Sequence, residues 1–276
     1  MPSLAMGFGL HKQRFFGGGG SFTGFLNSFS GASIGFSFRQ LDSNYTGNCI
    51  RVRRSSDNAE LNIGFVNNVL DASALLTFAG SGSAFVTIWY DQSGNANNAT
   101  QTVSSMQPTI VNSGSLILEN GKPAIDFPQG LEGNFNFSLI TQLTAITVAK
   151  LTSKNNVNYI LFNNDDTKGI FYGGSLNGIN GLGIFDGDIK SIAGYSLDQK
   201  LGWFNYNGTN YEIAENGDAI TSVNNGSSFS LNSIGRPAIS SVEFIGKMQE
   251  IILYSTEQSA NKVSMENNIN DFYSIY

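Results

Sequence analysis

The chain has 276 residues, of which 32 are Gly and 21 are Phe, while only 13% are charged, and its formal net charge is −6. A chain of this length suits one large β domain, which buries enough surface to fold without disulfides or a structural metal. The negative balance disfavours nucleic acid and anionic membrane surfaces as partners. The single cysteine excludes the disulfide-rich class, and we expect Cys49 to be a small buried apolar residue.

Residues 1–24 are predicted to form a flexible arm in front of a domain at 25–276. Four consecutive glycines, Gly17–Gly20, cost too much backbone entropy for a helix or a strand. Apolar side chains in front of them cannot form a core alone, so they are either idle or anchor the chain on a partner. They are Leu4, Met6, Phe8, Leu10, Phe15 and Phe16. The start lacks the pattern of a secretory signal peptide, and no apolar run approaches the roughly 20 residues that span a bilayer.

From Phe25 onward, short β-branched and aromatic runs alternate with turn residues, a pattern typical of a sandwich or barrel. The clearest buried strand is Ala84–Tyr90, which is apolar or β-branched almost throughout. Asn-Gly pairs such as Asn120-Gly121 and Asn207-Gly208 suit tight hairpins. The fold class predicted is mainly β, a two-sheet sandwich with a short internal helix and a C-terminal helix.

Two segments favour these helices. Asp71–Phe78 predicts a short helix that Asp71 caps and Gly80 ends. Near the end of the chain, Ser255 and Gln258 resemble a capping box. The apolar residues that follow at helical spacing are Val263, Ile269, Phe272 and Tyr276.

Few residue sets suit catalysis. The only histidine, His11, lies in the arm, so a histidine-dependent nucleophile or a zinc site is disfavoured. A glycosidase needs two carboxyl groups across a cleft, and Asp165, Asp166 and Glu243 are candidates. The alternative is that all three are solvated turn residues.

Calcium is the cofactor that we considered, because it prefers oxygen ligands on turns. Asp91–Asn95 and Asp186–Asp188 place such oxygens together, but neither matches a full calcium loop. Asp and Asn in such turns commonly bond to their own backbone. We therefore expect no cofactor and no metal, with calcium as the alternative.

Two further sets are candidates for binding or for structure. A basic stretch with acidic residues close behind predicts a structural ion-pair network, with anion or sugar binding as the alternative. Its members are Arg51, Arg53, Arg54, Asp57 and Glu60. Aromatic rings stack on sugars, and the rings that flank the Asn207-Gly208 turn are the candidates for carbohydrate binding: Trp203, Tyr206 and Tyr211.

Residues 39–60 (RQLDSNYTGNCIRVRRSSDNAE) and 89–101 (WYDQSGNANNATQ), followed by 120–127, resemble the front of the catalytic domain of the fungal α-L-arabinofuranosidase B family. The same signature is similar to one in bacteriophage virion proteins. The segment 246–254 with its helix resembles the closing part of laminin-G-like and concanavalin-like domains. The resemblance implies a concanavalin A-like jelly-roll sandwich.

The resemblance also implies where a glycosidase site would lie. The family's nucleophile follows a vicinal cysteine pair, and that region falls on Tyr159–Asp166, where the cysteines are absent and Asp165 or Asp166 stands near the nucleophile position. The family's acid region falls on Ile234–Ile239, which has no carboxylate. Losing a general acid costs about 10²–10⁴-fold in rate. We therefore expect the family's scaffold without catalytic residues.

The function predicted at this point is a non-enzymatic phage virion protein: a capsid decoration, head fibre or tail appendage assembled in the host cytoplasm. The arm would bind other virion proteins, and homo-oligomers are expected in such a setting. One alternative is a carbohydrate-binding module that takes a cell-surface glycan. The other is an α-L-arabinofuranosidase-like glycoside hydrolase.

Overall fold

The structure is a computed structural model that describes residues 22–127, 134–153, 158–163, 167–173, 181–192, 194, 196–224, 226–235 and 244–276. Several residues predicted to matter lie outside these ranges. They are the arm residues Leu4, Met6, Phe8, Leu10, Phe15 and Phe16, and the carboxylates Asp165, Asp166 and Glu243.

The first layer is an antiparallel sheet built around one long strand. In spatial order it contains β21 (Thr221–Val223), β20 (Tyr211–Glu215), β19 (Gln199–Tyr206), β14 (Thr144–Leu151) and β23 (Gly246–Tyr254), and then β1 (Ala32–Ser37) and β12 (Ile125–Phe127), which share the far edge of β23.

The second layer is a wider antiparallel sheet. In spatial order it contains β3 (Glu60–Ile63), β2 (Ile50–Arg54), β6 (Ala84–Trp89), then β7 (Ala99–Thr100) and β8 (Thr109–Asn112) side by side, β13 (Asn134–Gln142), β22 (Phe229–Gly235), β15 (Asn158–Phe162), β16 (Gly169–Tyr172), β17 (Leu182–Phe185) and β18 (Ile189–Ser191). A short β9 (Ser115–Leu116) pairs with β8, and the pair Thr109–Asp126 joins β8 to β12 and so links the layers.

Two small hairpins lie outside the layers: β4 (Phe65–Val66) with β5 (Val69–Leu70), and β10 (Leu118–Glu119) with β11 (Lys122–Pro123). Inside, alternate residues of both sheets meet in one core. Trp89 is fully buried there and stacks on Phe36 and Phe38, with ring centroids 5.6 and 5.1 Å away. The mainly β sandwich predicted from the strand pattern is confirmed.

Cys49 is buried in this core. Its thiol donates to the Ser37 carbonyl at 3.3 Å, and burial raises its pKa well above the ordinary value for a thiol. The predicted structural role of this residue is confirmed.

The first sheet is also covered on its outer face. Helix α1 (Phe25–Ser28) and helix α3 (Lys262–Tyr273) pack there. Strand alternation places Leu201 and Trp203 on this face, where Met265 and Ile269 of α3 join them in a second apolar cluster. The helices therefore cover the outer face of the first sheet around Leu201 and Trp203.

Both predicted helices are present. Helix α2 (Ala72–Ala79) begins after Asp71, whose carboxylate accepts from the Ala74 N–H at 2.9 Å, and it ends at Gly80, which has a φ of 62°. Among the described helices, none is long and apolar enough to cross a membrane.

The C-terminal helix differs in detail from its prediction. A 3₁₀ turn at Ser259–Asn261 precedes it, and Asn261 is its N-cap rather than Ser255. The apolar residues that α3 buries are Met265, Ile269 and Tyr273, so of the predicted set Ile269 is fully buried. Val263 and Tyr276 are 68% and 50% exposed, so their predicted packing is wrong.

The close approach of the paired strands β23 and β14 at Gly246 provides a test of the packing. A Cβ added at Gly246 would press into the Lys150 carbonyl oxygen and come within 3.0 Å of the Leu151 Cα. Both obstacles are backbone, so Gly246→Ala is expected to destabilise the fold by about 1–3 kcal/mol, as overpacked sites do. Chemical denaturation measures this. Gly64→Ala is the matched control, because nothing lies within 4 Å of its added Cβ; equal midpoints for the two variants would contradict the close approach.

Candidate functional site at one end of the sandwich

One end of the sandwich brings polar side chains of both layers together. Gly169 and Phe185 form the last pair between β16 and β17 at this end. Lys168, just before β16, and Asp186, just after β17, therefore lie beyond that pair on adjacent strands. From the first layer, β20 begins at the same end with Tyr211. Side chains that are far apart in sequence therefore meet here.

These side chains form a continuous hydrogen-bonded network. Lys168 Nζ donates to Ser227 Oγ at 2.9 Å, and the Ser227 hydroxyl lies 3.1 Å from the Tyr211 hydroxyl. Tyr211 donates to Asp186 Oδ2 at 2.9 Å, and Lys190 Nζ lies 2.5 Å from Asp186 Oδ1. Both oxygens of Asp186 are thus engaged.

The network holds Asp186 as an anion. Burial by itself raises the pKa of this carboxyl, but the hydrogen bonds from Lys190 and Tyr211 outweigh it and hold the pKa below its ordinary value. In contrast, burial raises the pKa of Tyr211 to about 12, so its hydroxyl keeps its proton. Asp186 is therefore a fixed negative charge rather than a proton donor.

This depressed pKa implies a pH dependence of stability. The contribution of Asp186 is present above its unfolded-state pKa of about 3.9 and is lost as pH falls through the lower folded-state pKa. We expect Asp186→Asn to melt below the wild type at pH 7, and the difference to shrink near pH 3. Melting temperatures at both pH values measure this, with exposed Asp198→Asn as control. A difference that did not depend on pH would contradict the assignment.

The turn between β15 and β16 is fixed at both ends. Asn163 Oδ1 accepts from the N–H groups of Thr167 and Lys168 at 3.0 and 2.8 Å, and Asn163 Nδ2 donates to Thr167 Oγ1 at 2.8 Å. Residues 164–166 lie between these anchors in the sequence. The network thus adjoins the segment that carries Asp165 and Asp166.

Glu243 lies outside the described residues, and the described chain resumes at Phe244. Ile245, two positions after Glu243, donates its N–H to Asn158 Oδ1 at 3.3 Å. Asn158 begins β15 and Asn163 follows it, and five residues of strand span about 16 Å. The described flanks of Glu243 and of the Asp165–Asp166 segment are therefore well apart, which disfavours pairing between them.

The three aromatic candidates for sugar binding have different surroundings. Trp203 is fully buried under α3 and presents no ring face to solvent, so it cannot stack on a sugar in this structure. The Tyr211 ring is also buried, and its hydroxyl belongs to the network. Tyr206 is half-buried, 6.0 Å from Tyr211 between ring centroids. Tyr206 is the member of the set with an accessible ring beside the network.

The predicted ion-pair network is present in part and lies at the surface. Arg51 pairs with Glu60 at 2.6 Å, and Arg54 pairs with Asp57 at 2.6 Å. Arg54 also lies 4.8 Å from the Phe78 ring centroid, which ties this strand to α2 as predicted.

Arg53, the remaining arginine of that set, has neutral partners. It donates to Gln107 Oε1 at 2.7 Å and Asn58 Oδ1 at 2.8 Å, and it lies 4.7 Å from the Phe85 ring centroid.

The two segments considered for calcium have local partners instead. Asp91 accepts from the N–H groups of Gly35, Ser93 and Asn97, and Asp186 is held by Lys190 and Tyr211. Over the described ranges, no three His, Cys, Asp or Glu side chains are grouped to hold a metal ion.

The outer face of the second sheet leads to the same end. One row of residues crosses the strands of this face, and each residue pairs with the next one on the neighbouring strand. The row consists of Ile88, Thr100, Asn136, Ser233 and Phe162. Beyond it, a separate aromatic cluster comprises Tyr159, Phe162, Phe171 and Phe185. Sequence reasoning missed this face and also Lys168, Lys190 and Ser227, because their proximity depends on strand register.

Comparison with known proteins identifies relatives of this architecture. Residues 32–175, just over half of the chain, match the family model "Alpha-L-arabinofuranosidase B, catalytic". A GH54 α-L-arabinofuranosidase soaked with a cyclic sulfate inhibitor superposes with a TM-score of 0.66 at 16% identity, over 86% of this chain and 62% of that one. An arabinofuranosidase complexed with arabinofuranosyl-α-1,2-xylobiose gives the same values. No curated protein sequence matches the chain.

These matches change the functional expectation. The family match points to a glycoside hydrolase-like family, so the prediction that the protein is not an enzyme is wrong. The structural likeness, at 16% identity, supports the fold, and this chain spans less than two thirds of those enzymes. What the matches support is carbohydrate binding or hydrolysis, which was the alternative rather than the main prediction. The predicted place in a virion stays a prediction.

Proposed function

Because this chain belongs to the α-L-arabinofuranosidase B catalytic-domain family, we propose that it is a glycoside hydrolase that releases an α-L-arabinofuranosyl unit from a glycan. The observation that carries the proposal is the network of Lys168, Ser227, Tyr211 and Asp186, which adjoins Asn163 and Thr167. Asp165 and Asp166 lie between Asn163 and Thr167 in the sequence, and the resemblance to the family implies that one of them stands near the nucleophile position.

The chemistry requires two carboxyl groups, one ionised and one protonated, around an oxocarbenium-like transition state. We assign these two roles to Asp165 and Asp166. The region that resembles the family's acid segment, Ile234–Ile239, has no carboxylate, so the proton has to come from another group. Asp186 does not supply it, because its pKa is lowered.

Asp186 has a positioning role in this proposal. Its charge is balanced by the Lys190 ammonium, and its other oxygen holds the Tyr211 hydroxyl at 2.9 Å. Lys168, anchored to Ser227 and to the Ser228 carbonyl at 2.6 Å, holds the carboxyl end of the turn between β15 and β16.

The test is the hydrolysis of 4-nitrophenyl α-L-arabinofuranoside by the full chain, followed through the colour of released 4-nitrophenolate. We expect turnover of this substrate and none of the corresponding arabinopyranoside, whose ring size differs. If hydrolysis at saturating substrate concentrations did not exceed the uncatalysed rate, the proposal would be refuted.

A further inference from the structure

A polar groove with a volume of about 520 Å³ lies beside the start of β1. The side chains that define it are Ser33, Ser93, Asn95, Asn97 and Ser255, and no charged residue lines it. Three of these belong to the 91–97 loop, which the network described above does not use. Gly31 and Ala32 complete the lining, so the polar side chains of the groove are hydroxyl and amide groups.

The loop that forms one wall is held rigidly by Asp91. One carboxylate oxygen accepts from the N–H groups of Gly35 and Ser93 at 2.8 and 2.9 Å. The other accepts from the Asn97 N–H at 3.0 Å and the Ser93 hydroxyl at 2.8 Å. Both oxygens of Asp91 are therefore engaged within the loop and with β1.

A bulge in β1 fixes the opposite wall. The register with β23 shifts between Ala32 and Ile34, which leaves the Ser33 carbonyl out of the ladder. This carbonyl accepts from Asn95 Nδ2 and Asn97 Nδ2, each at 3.2 Å. Ser93 Oγ also lies 3.2 Å from it, although the closer partner of that hydroxyl is Asp91. Bulges re-aim groups near binding sites in this way.

These bonds decide which groups are available to a ligand. The amide groups of Asn95 and Asn97 donate to the main chain of β1, so their Oδ1 oxygens lie on the side away from it. Within the described chain, neither oxygen accepts a hydrogen bond, and the hydroxyls of Ser33 and Ser255 make none. The groove thus offers two fixed acceptors and two groups that both donate and accept.

We propose that this groove is a second saccharide subsite, which binds a neutral sugar unit of the glycan through its hydroxyl groups. Sugar hydroxyls donate to fixed amide oxygens and exchange bonds with serine hydroxyls, whereas an uncharged lining gives no advantage to an ionic ligand. The inference rests on the proposed function for the class of ligand.

The location fits a single extended ligand. The strands between the groove and the network are in register at this end. Tyr254, which precedes Ser255, pairs with Thr144 of β14, and Thr144 pairs with Asn205 of β19. The next residue of β19, Tyr206, pairs with Tyr211 of β20. Ser255, just after β23, is three strand spacings or about 14 Å from β20, and Ser33 on β1 is one spacing further, at about 19 Å. Groove and network therefore lie at the same end, at a separation that an oligosaccharide spans and a monosaccharide does not.

The experiment is calorimetric titration of the full chain with arabinofuranosyl-α-1,2-xylobiose. Asp165→Asn/Asp166→Asn is the common background of all the proteins titrated, so that the ligand is not hydrolysed. Ser255→Phe fills the exposed mouth of the groove and is expected to weaken binding at least tenfold. Ser115→Phe, the same change at an exposed serine on β9 at the opposite end of the sandwich, is expected to keep the wild-type Kd. Ser33→Ala removes one hydroxyl without adding bulk and is expected to weaken binding about threefold to tenfold, as loss of one hydrogen bond does.

Wild-type affinity in both Ser255→Phe and Ser33→Ala would overturn the proposal. Circular dichroism identifies a misfolded variant, and Ser33→Ala then decides alone. Hydrolysis of 4-nitrophenyl α-L-arabinofuranoside by the wild type separates the two proposals. If the wild type hydrolyses this substrate but the groove variants bind the trisaccharide with unchanged affinity, only the subsite is rejected. If the groove variants bind the trisaccharide more weakly but the wild type shows no hydrolysis, only the hydrolase is rejected.

Discussion

The double variant Asp165→Asn/Asp166→Asn is expected to hydrolyse 4-nitrophenyl α-L-arabinofuranoside more than about 10⁴-fold more slowly than the wild type, because removing the nucleophile eliminates the covalent step. In our assignment this variant loses both the nucleophile and the acid. Asparagine keeps the size and polarity of the side chains, so the turn between Asn163 and Thr167 retains its anchors. The measurement is kcat/KM from initial rates of 4-nitrophenolate release.

The single variants distinguish the two roles. Nitrophenolate leaves without protonation, whereas the sugar alcohol released from arabinofuranosyl-α-1,2-xylobiose needs an acid. The variant that lacks the nucleophile should fail with both substrates, and the variant that lacks the acid should fail mainly with the trisaccharide. Asp198→Asn, an exposed aspartate beside the start of β19, serves as the control. Full activity in the double variant would contradict the assignment.

Glu250→Gln is expected to destabilise the fold by about 3–5 kcal/mol, as happens when one partner of a buried ion pair is removed. Glu250 is 1% exposed and binds Arg39 through two bonds of 2.8 and 2.9 Å. Ser37 donates to it at 2.7 Å, and Tyr273 of α3 donates at 3.2 Å. Without the carboxylate, the buried Arg39 guanidinium has no counter-charge. Urea denaturation at pH 7 measures the loss.

Asp57→Asn provides the comparison for that loss. It breaks the Arg54–Asp57 pair, which has the same chemistry but is exposed to solvent. Solvent screening makes such pairs nearly neutral for stability, so the denaturation midpoint should hardly move. If Glu250→Gln moved the midpoint no further than Asp57→Asn, the buried pair would not hold α3 to the first sheet.

Some elements follow from local sequence and others do not. The α2 helix is predictable because Asp71 caps it and Gly80 ends it within ten residues. Strand β6 is predictable because its residues are β-branched and aromatic. The burial of Trp203 is not, since strand alternation places it on an outer face and only the docking of α3 covers that face. The start of α3 is not predictable either, because a 3₁₀ turn at Ser259–Asn261 precedes it and Asn261 rather than Ser255 is the N-cap.

The candidate site is less predictable than the fold. Asp186 stands out in the sequence only as one of two aspartates in an Asp-Gly-Asp turn, which suggests calcium. Its partner Tyr211 lies 25 residues further along the chain, and they meet through strand register that no local pattern specifies. Asp165, Asp166 and Glu243 are candidates as carboxylates, but only the family resemblance singles out Asp165 or Asp166 as standing near the nucleophile position.

Cys49 is a natural chemical probe of the opening of the core. It is the only thiol in the sequence, it lies at 0% exposure, and its raised pKa keeps it as the unreactive thiol. A thiol reagent therefore labels the protein only when the inter-layer core opens, so the labelling rate reports the opening equilibrium. One label per molecule, read by mass, would measure the cooperative opening of the sandwich in each of the variants proposed above without any engineered probe.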